Sequence, residues 1–293
     1  MYNRIKGQGG EMDNMQLEVD GEGRARFAAA VELGEGSQAW FLPLSAMVYN
    51  GNLHSPRAQV LADALYLAAA MTANEDAPAA PDATTPAEVR DLANSMAAVM
   101  SVGDATIVVA DTCRSTALLL TLALQAFGPA RSDAYLAPWL DLLPPVYSHH
   151  PQTMGDADLQ LLFELPGAYD MYMAERGRLS VPIELVERIV APFAPDLAVG
   201  AVPLHDRLLW ASLTVVTRGW GTLHDNTPYC ALVPVDYFEH NPAGSSLIAI
   251  TTGDGEQQSV VGTSHYTTRT VHAGASLLQA FHSAYVRPHS PVV

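Results

Sequence analysis

Leu17-Glu18-Val19-Asp20-Gly21-Glu22-Gly23-Arg24-Ala25-Arg26-Phe27-Ala28 begins as a strand and turns on two glycines. Leu17 and Val19 alternate with Glu18 and Asp20, the period-two pattern of a half-buried strand. Gly21-Glu22-Gly23 reverses the chain. A second apolar run, Trp40-Phe41-Leu42, stops at Pro43, so residues 17–48 read as strand and turn.

Outward from there the pattern becomes helical. Ser55-Pro56 is an N-cap followed by proline at the first helical position, and Val60, Leu61, Ala64, Leu65, Ala68 and Met71 recur at helical spacing. Residues 75–85 are rich in Ala, Pro and Asp and read as a solvated loop. Thr85-Pro86-Ala87-Glu88 has capping-box spacing and opens a helix through Val89, Leu92, Met96 and Val99. Residues 102–110 read equally as a strand or as the start of a buried helix. A helix over 112–125 stops at Gly128-Pro129, and further helices are expected over 156–175, 182–191 and 203–216. Strands return from Ala231: Leu247-Ile248-Ala249-Ile250, a Gly253-Asp254-Gly255 hairpin signal, then Val260-Val261 and 266–271.

The chain has 293 residues, 49% hydrophobic and 16% charged, which excludes global disorder and allows a real core. The net charge of −16 argues against a sequence-independent grip on nucleic acid and is compatible with a basic protein partner. Two cysteines, Cys113 and Cys230, make neither a structural zinc site nor a disulfide framework, and the adjacent His149-His150 is no chelate, so no metal is expected. Residues 1–15 lack the apolar core of a signal peptide, and the most apolar stretch, 107–127, is broken by Asp111 and Arg114. A soluble intracellular protein is expected, its compartment unreadable. No glycine-rich turn follows 103–111 as a Rossmann unit requires, and no G-x-S-x-G elbow marks a hydrolase.

Six segments occur in an order that resembles a known family. Gly21 to Ala28 looks like a GxGxGLFA-type turn, and Phe41-Leu42-Pro43 like the strand that follows it. Ala134-Tyr135-Leu136-Ala137-Pro138-Trp139-Leu140-Asp141-Leu142-Leu143-Pro144 is close to W-x-P-Y-L-x-x-L-P. Trp210-Ala211 with Val216-Thr217-Arg218-Gly219-Trp220 resembles a W-A…S-R-A-F helix end. Leu232-Val233-Pro234-Val235-Asp236-Tyr237-Phe238-Glu239-His240-Asn241 resembles L-V-P-x-x-D-x-x-N-H, and Thr268-Arg269-Thr270-Val271-His272-Ala273-Gly274 resembles T-R-D-I-x-A-G. Together they resemble the SET-domain proteins of the branch containing the Rubisco large-subunit methyltransferase and the actin-histidine methyltransferase.

That resemblance implies an α+β class: a SET fold of small β-sheets with a threaded C-terminal segment, interrupted by a large helical insertion. The expected parts are a leader (1–15), the first SET part (16–55), the insertion (56–202), the second SET part (203–285) and a tail (286–293). It implies S-adenosylmethionine as methyl donor, a protein-lysine or histidine acceptor, and catalysis by alignment and electrostatics. Glu22 and Gly23 would bring backbone to the cofactor, and Arg218 would bind its carboxylate, although a cation at a helix C-terminus is also placed well for the dipole. Asp236, Glu239 and His240 would lie in the strand beneath the cofactor, His240 near the adenine or serving only as a structural residue. Asp236, Thr217 and the residue at the tyrosine position would stand at the chemistry.

The sequence departs from the pattern there. The tyrosine position is Phe281, and losing one positioned hydroxyl commonly costs about 10²- to 10³-fold in rate. Tyr285 lies four residues on. The Asn-His pair is Glu239-His240, and an ionised glutamate only accepts hydrogen bonds. Ala275 and Ser276 stand where acidic residues follow the glycine. No counterpart is found of the segment that closes the family's active site, nor of the helical domain that follows it. Two functions stay open: a catalytically impaired pseudoenzyme serving as a binding or structural subunit, or an active protein N-methyltransferase.

Overall fold

A computed structural model describes residues 2–19, 21, 25–49, 52–72, 85–100, 110–129, 131, 134–148, 150–165, 167, 169–170, 183–184, 186–188, 191–192, 194–195, 202–224, 227–232, 239–240, 246–252 and 260–279. The chain divides into two compact units: Met1–Val48, Gly221–Tyr229 and Val233–Val293 form one, and Tyr49–Trp220 with Cys230–Leu232 form the other.

The first unit is built on strands from both ends of the chain. β1 (Met15–Val19) pairs antiparallel with β2 (Ala25–Ala29), Leu17 opposite Phe27. β3 (Gln38–Pro43) pairs antiparallel with β8 (Val260–Thr267), and β7 (Ser246–Thr252) pairs antiparallel with the other edge of β8. Trp40 and Leu42 are buried, as is His265 opposite Trp40, so the sheet's core lies at the middle of β8. Gly262 is required on that strand: a Cβ there would run into the Leu42 carbonyl oxygen and the Phe41 ring. β6 (Glu239–His240) and β9 (Leu278–Gln279) complete the sheet in the order β3-β8-β7-β9-β6. Residues 1–15, expected as a leader, carry a short helix, α1 (Tyr2–Lys6), with Ile5 fully buried. Glu11 exchanges both backbone hydrogen bonds with Phe41, at 2.9 and 2.8 Å. β4 (Gly219–His224) and β5 (Thr227–Leu232) pair as a separate two-stranded sheet.

The second unit is helical. α2 (Pro56–Thr72) starts where the sequence places it, with the Ala58 backbone N–H donating to Ser55 Oγ at 3.2 Å, the capping bond that satisfies a first-turn amide. α2 packs on α3 (Ala87–Met100) and on α4 (Ala110–Phe127), and α4 packs on the last long helix, α7 (Leu204–Arg218). Between 116 and 126 α4 is buried on nearly every side, which makes it the central element. It ends at Gly128, where a Cβ would collide with the Leu124 carbonyl oxygen. α5 (Ala137–Leu140) places Trp139 in the core and α6 (Asp156–Phe163) follows. Of the helical stretch expected over 156–175, α6 covers 156–163 and residues 169–170 are again helical, while 166, 168 and 171–175 lie outside the described residues. Gly167, beyond the end of α6, has φ +78°, a left-handed conformation that glycine adopts without strain. The ambiguous stretch 102–109 and the loop 75–84 lie outside the described residues. No helix among the described residues is long and apolar enough to cross a membrane.

Candidate functional site

Strand β2, which follows the Gly21-Glu22-Gly23 motif in the sequence, lies against residues 274–277. Ala28 and Ser276 form an antiparallel bridge, and Leu277 N–H donates to the Phe27 carbonyl at 2.9 Å. Ala29 N–H donates to Ala275 at 3.0 Å, and Gly274 N–H donates to Ala29 at 2.8 Å. Gly274 has φ +78°, so the glycine expected from the Ala273-Gly274 run stands in a turn that other residues rarely adopt. Residues 278–279 continue directly as β9, which runs parallel to β6 with Glu239 opposite Leu278 and His240 opposite Gln279. Backbone bonds thus join three stretches quoted from the sequence: the strand after the glycine motif, the 239–240 strand and the run after Gly274.

A side-chain cluster reinforces the first of these joints. The Arg26 guanidinium donates to Glu18 Oε2 through Nε at 3.0 Å and Nη2 at 2.7 Å, and to Ser276 Oγ through Nη1 at 2.9 Å. The hydrogen bond from Arg26 is the main cause that holds the Glu18 carboxyl below the usual carboxylate range. Elsewhere in the same unit, Thr267 Oγ1 donates to the Gly34 carbonyl at 2.5 Å, and Leu33 bridges to Val271.

Two candidates belong to the helical unit. Thr217 is exposed, and its hydroxyl donates back to the Leu213 carbonyl of its own helix at 2.7 Å, which occupies its proton. Arg218 is half-buried in the last turn of α7, where the Gly219 N–H closes the helix on the Val215 carbonyl. Trp210 Nε1 donates to the Pro144 carbonyl at 3.0 Å, so the tryptophan of one motif closes the end of the 134–144 segment. Glu22, Gly23, Asp236 and Phe281 lie outside the described residues, as does Tyr285. Among the described residues no group of three or more His, Cys, Asp or Glu could hold a metal ion.

His265 was not singled out by any motif. It is fully buried at the centre of β8 and stacks on Trp40, with ring centroids 5.5 Å apart and planes inclined 30°. Burial pushes its pKa down to about 3. Ser264 and His265 are neighbours on opposite faces of β8 and both are buried, so burial does not alternate there and period alone gives no signal for a buried imidazole.

No family model matches the sequence, and no curated protein matches it. Solved structures do resemble it in fold. The SET domain of LSMT bound to lysine and AdoHcy is 12% identical, with a TM-score of 0.56 over 96% of this chain and 53% of that one. Rubisco LSMT bound to sinefungin and monomethyllysine is 12% identical, with a TM-score of 0.55 over 96% and 52%. Rubisco LSMT bound to AdoMet is 13% identical, with a TM-score of 0.55 over 96% and 52%. The chain spans about half the length of the solved chains it resembles. It has a SET fold, of mixed helices and small sheets.

Proposed function

We propose that this chain is a SET-fold protein that no longer transfers methyl groups at a useful rate and serves as a binding or structural subunit for another protein, with weakened affinity for S-adenosylmethionine. The observation that supports the reading is the run of backbone bonds from β2 through Ser276 and β9 to β6, which joins three motif-bearing stretches, with Phe281 two positions further along the sequence. By the resemblance, the Glu239-His240 strand would take the cofactor's adenine side. The cofactor would supply the transferable methyl group. This chain's own part would be to bind it, exclude water and align a neutral nitrogen, and Phe281 keeps the ring for that task without the hydroxyl. Glu239 adds a second departure, since an ionised carboxylate only accepts hydrogen bonds: beside the cofactor's carboxylate it would repel, and beside the ammonium or sulfonium it would attract. The net charge of −16 suits a basic protein partner.

Titration calorimetry with S-adenosylmethionine and a radiolabelled methyl-transfer assay on cell extract test the reading, with wild type and Phe281→Tyr side by side. Weak binding and no labelling by either protein are expected. Robust labelling by wild type would overturn the proposal in favour of an active protein-lysine, or histidine, N-methyltransferase. Labelling by Phe281→Tyr alone would mean that Glu239 does little harm and that Phe281 accounts for the loss. Lys6 is the sole lysine, so lysine labelling of the protein itself maps to one position.

A further inference from the structure

Arg26 touches two segments that are 250 positions apart in the chain. Its three hydrogen bonds engage Glu18 on β1 and Ser276 on the segment that becomes β9 two residues later. Of these segments, β2 begins at Ala25 and β9 lies on the Glu239-His240 strand. The backbone contact at this place is short, a single Ala28–Ser276 bridge flanked by bonds at Ala275 and Leu277. So short a ladder gains little cooperativity of its own, and a charge-assisted tether across it fixes its register. Arg26 is half-exposed, with its side chain 41% accessible, so it is not there to fill a core.

We infer that Arg26 is a positioning residue: through Ser276 it clamps residues 276–279 onto β2 and so sets the spacing between β2 and the 239–240 strand, the strand on which the proposed function puts the S-adenosyl ligand. The ligand half of this rests on the function proposed above; the clamp itself does not. Glu18 holds the guanidinium in place, and the Ser276 hydroxyl is the grip.

Hydrogen exchange at the Leu277 amide and calorimetry with S-adenosylhomocysteine read the two halves separately. Ser276→Ala and Arg26→Lys remove the grip, the latter keeping the charge beside Glu18, while Ser276→Thr retains a hydroxyl. In the first two variants Leu277 should exchange about tenfold faster and S-adenosylhomocysteine should bind several-fold more weakly, as expected for one charge-assisted hydrogen bond. Ser276→Thr should restore both, and combining Ser276→Ala with Arg26→Lys should add nothing further. Wild-type exchange in Ser276→Ala would overturn the clamp. Faster exchange with unchanged affinity would overturn its positioning role. Absence of binding to the wild type would overturn the ligand reading on which that role depends, and the exchange comparison would still decide whether the clamp exists.

Discussion

At the scale of single residues, His265 couples the core to pH. Its pKa is about 3 in the folded protein and near 6.5 in an unfolded chain. Between those values the unfolded state binds a proton that the folded state refuses, so stability falls as pH drops below 6.5. The slope reaches at most about 1.4 kcal/mol per pH unit, and above 6.5 this group contributes no pH dependence. Urea unfolding at pH 7.5 and pH 5 should therefore show wild type losing about 2 kcal/mol more than His265→Phe, which keeps a ring against Trp40. Equal losses would show that His265 is protonated in the fold or that its neighbourhood opens to water. Phe281 is the contrasting case, since its importance is read from the sequence pattern and the absence of a hydroxyl.

At the scale of elements, helix ends and loop anchors are made by identifiable side chains. Ser55 caps α2 through the Ala58 amide, and Ser55→Ala should cost about 1 kcal/mol in urea unfolding. Gln125, buried on α4, does a different job. Its Oε1 accepts from the Leu136 amide at 2.9 Å and its Nε2 donates to the Leu53 carbonyl at 3.3 Å, so one amide ties two loops to the central helix. Gln125→Met keeps the length and loses both bonds, stranding a buried donor and a buried acceptor. The expected cost is about 3 kcal/mol, larger than for the cap, because neither group regains water. A cost equal to that of Ser55→Ala would mean that solvent reaches Leu53 and Leu136.

At the scale of the whole molecule, the strand unit depends on pairing between distant parts of the chain. β3 meets β8 and β2 meets residues 274–277, so the unit forms only when segments from both ends are present. The first residues belong to it as well. Ile5 and Met12 are buried and Glu11 bonds to Phe41 in the sheet. Deleting residues 1–12 should lower stability by about 3 kcal/mol or more, from lost apolar burial alone, and should shift the thermal transition down. An unchanged transition would show that these contacts do not persist in solution.

The sequence by itself determined the kinds of element and the fold class. Alternation at Leu17 and Val19, the Ser55-Pro56 start, the Gly128-Pro129 stop and the strand return after 231 are local signals, and local backbone chemistry decides them. The order of the motifs carried the SET resemblance, which the fold shares. Other features were decided only in three dimensions. The left-handed conformation at Gly167 needed the backbone angle, and the burial of His265 needed the sheet packed around it. The packing of residues 1–15 and the Arg26–Ser276 bond depend on partners far along the chain. Periodicity reports which face of an element is apolar, whereas a tertiary partner is chosen by the free energy of bringing distant segments together, which no local window contains.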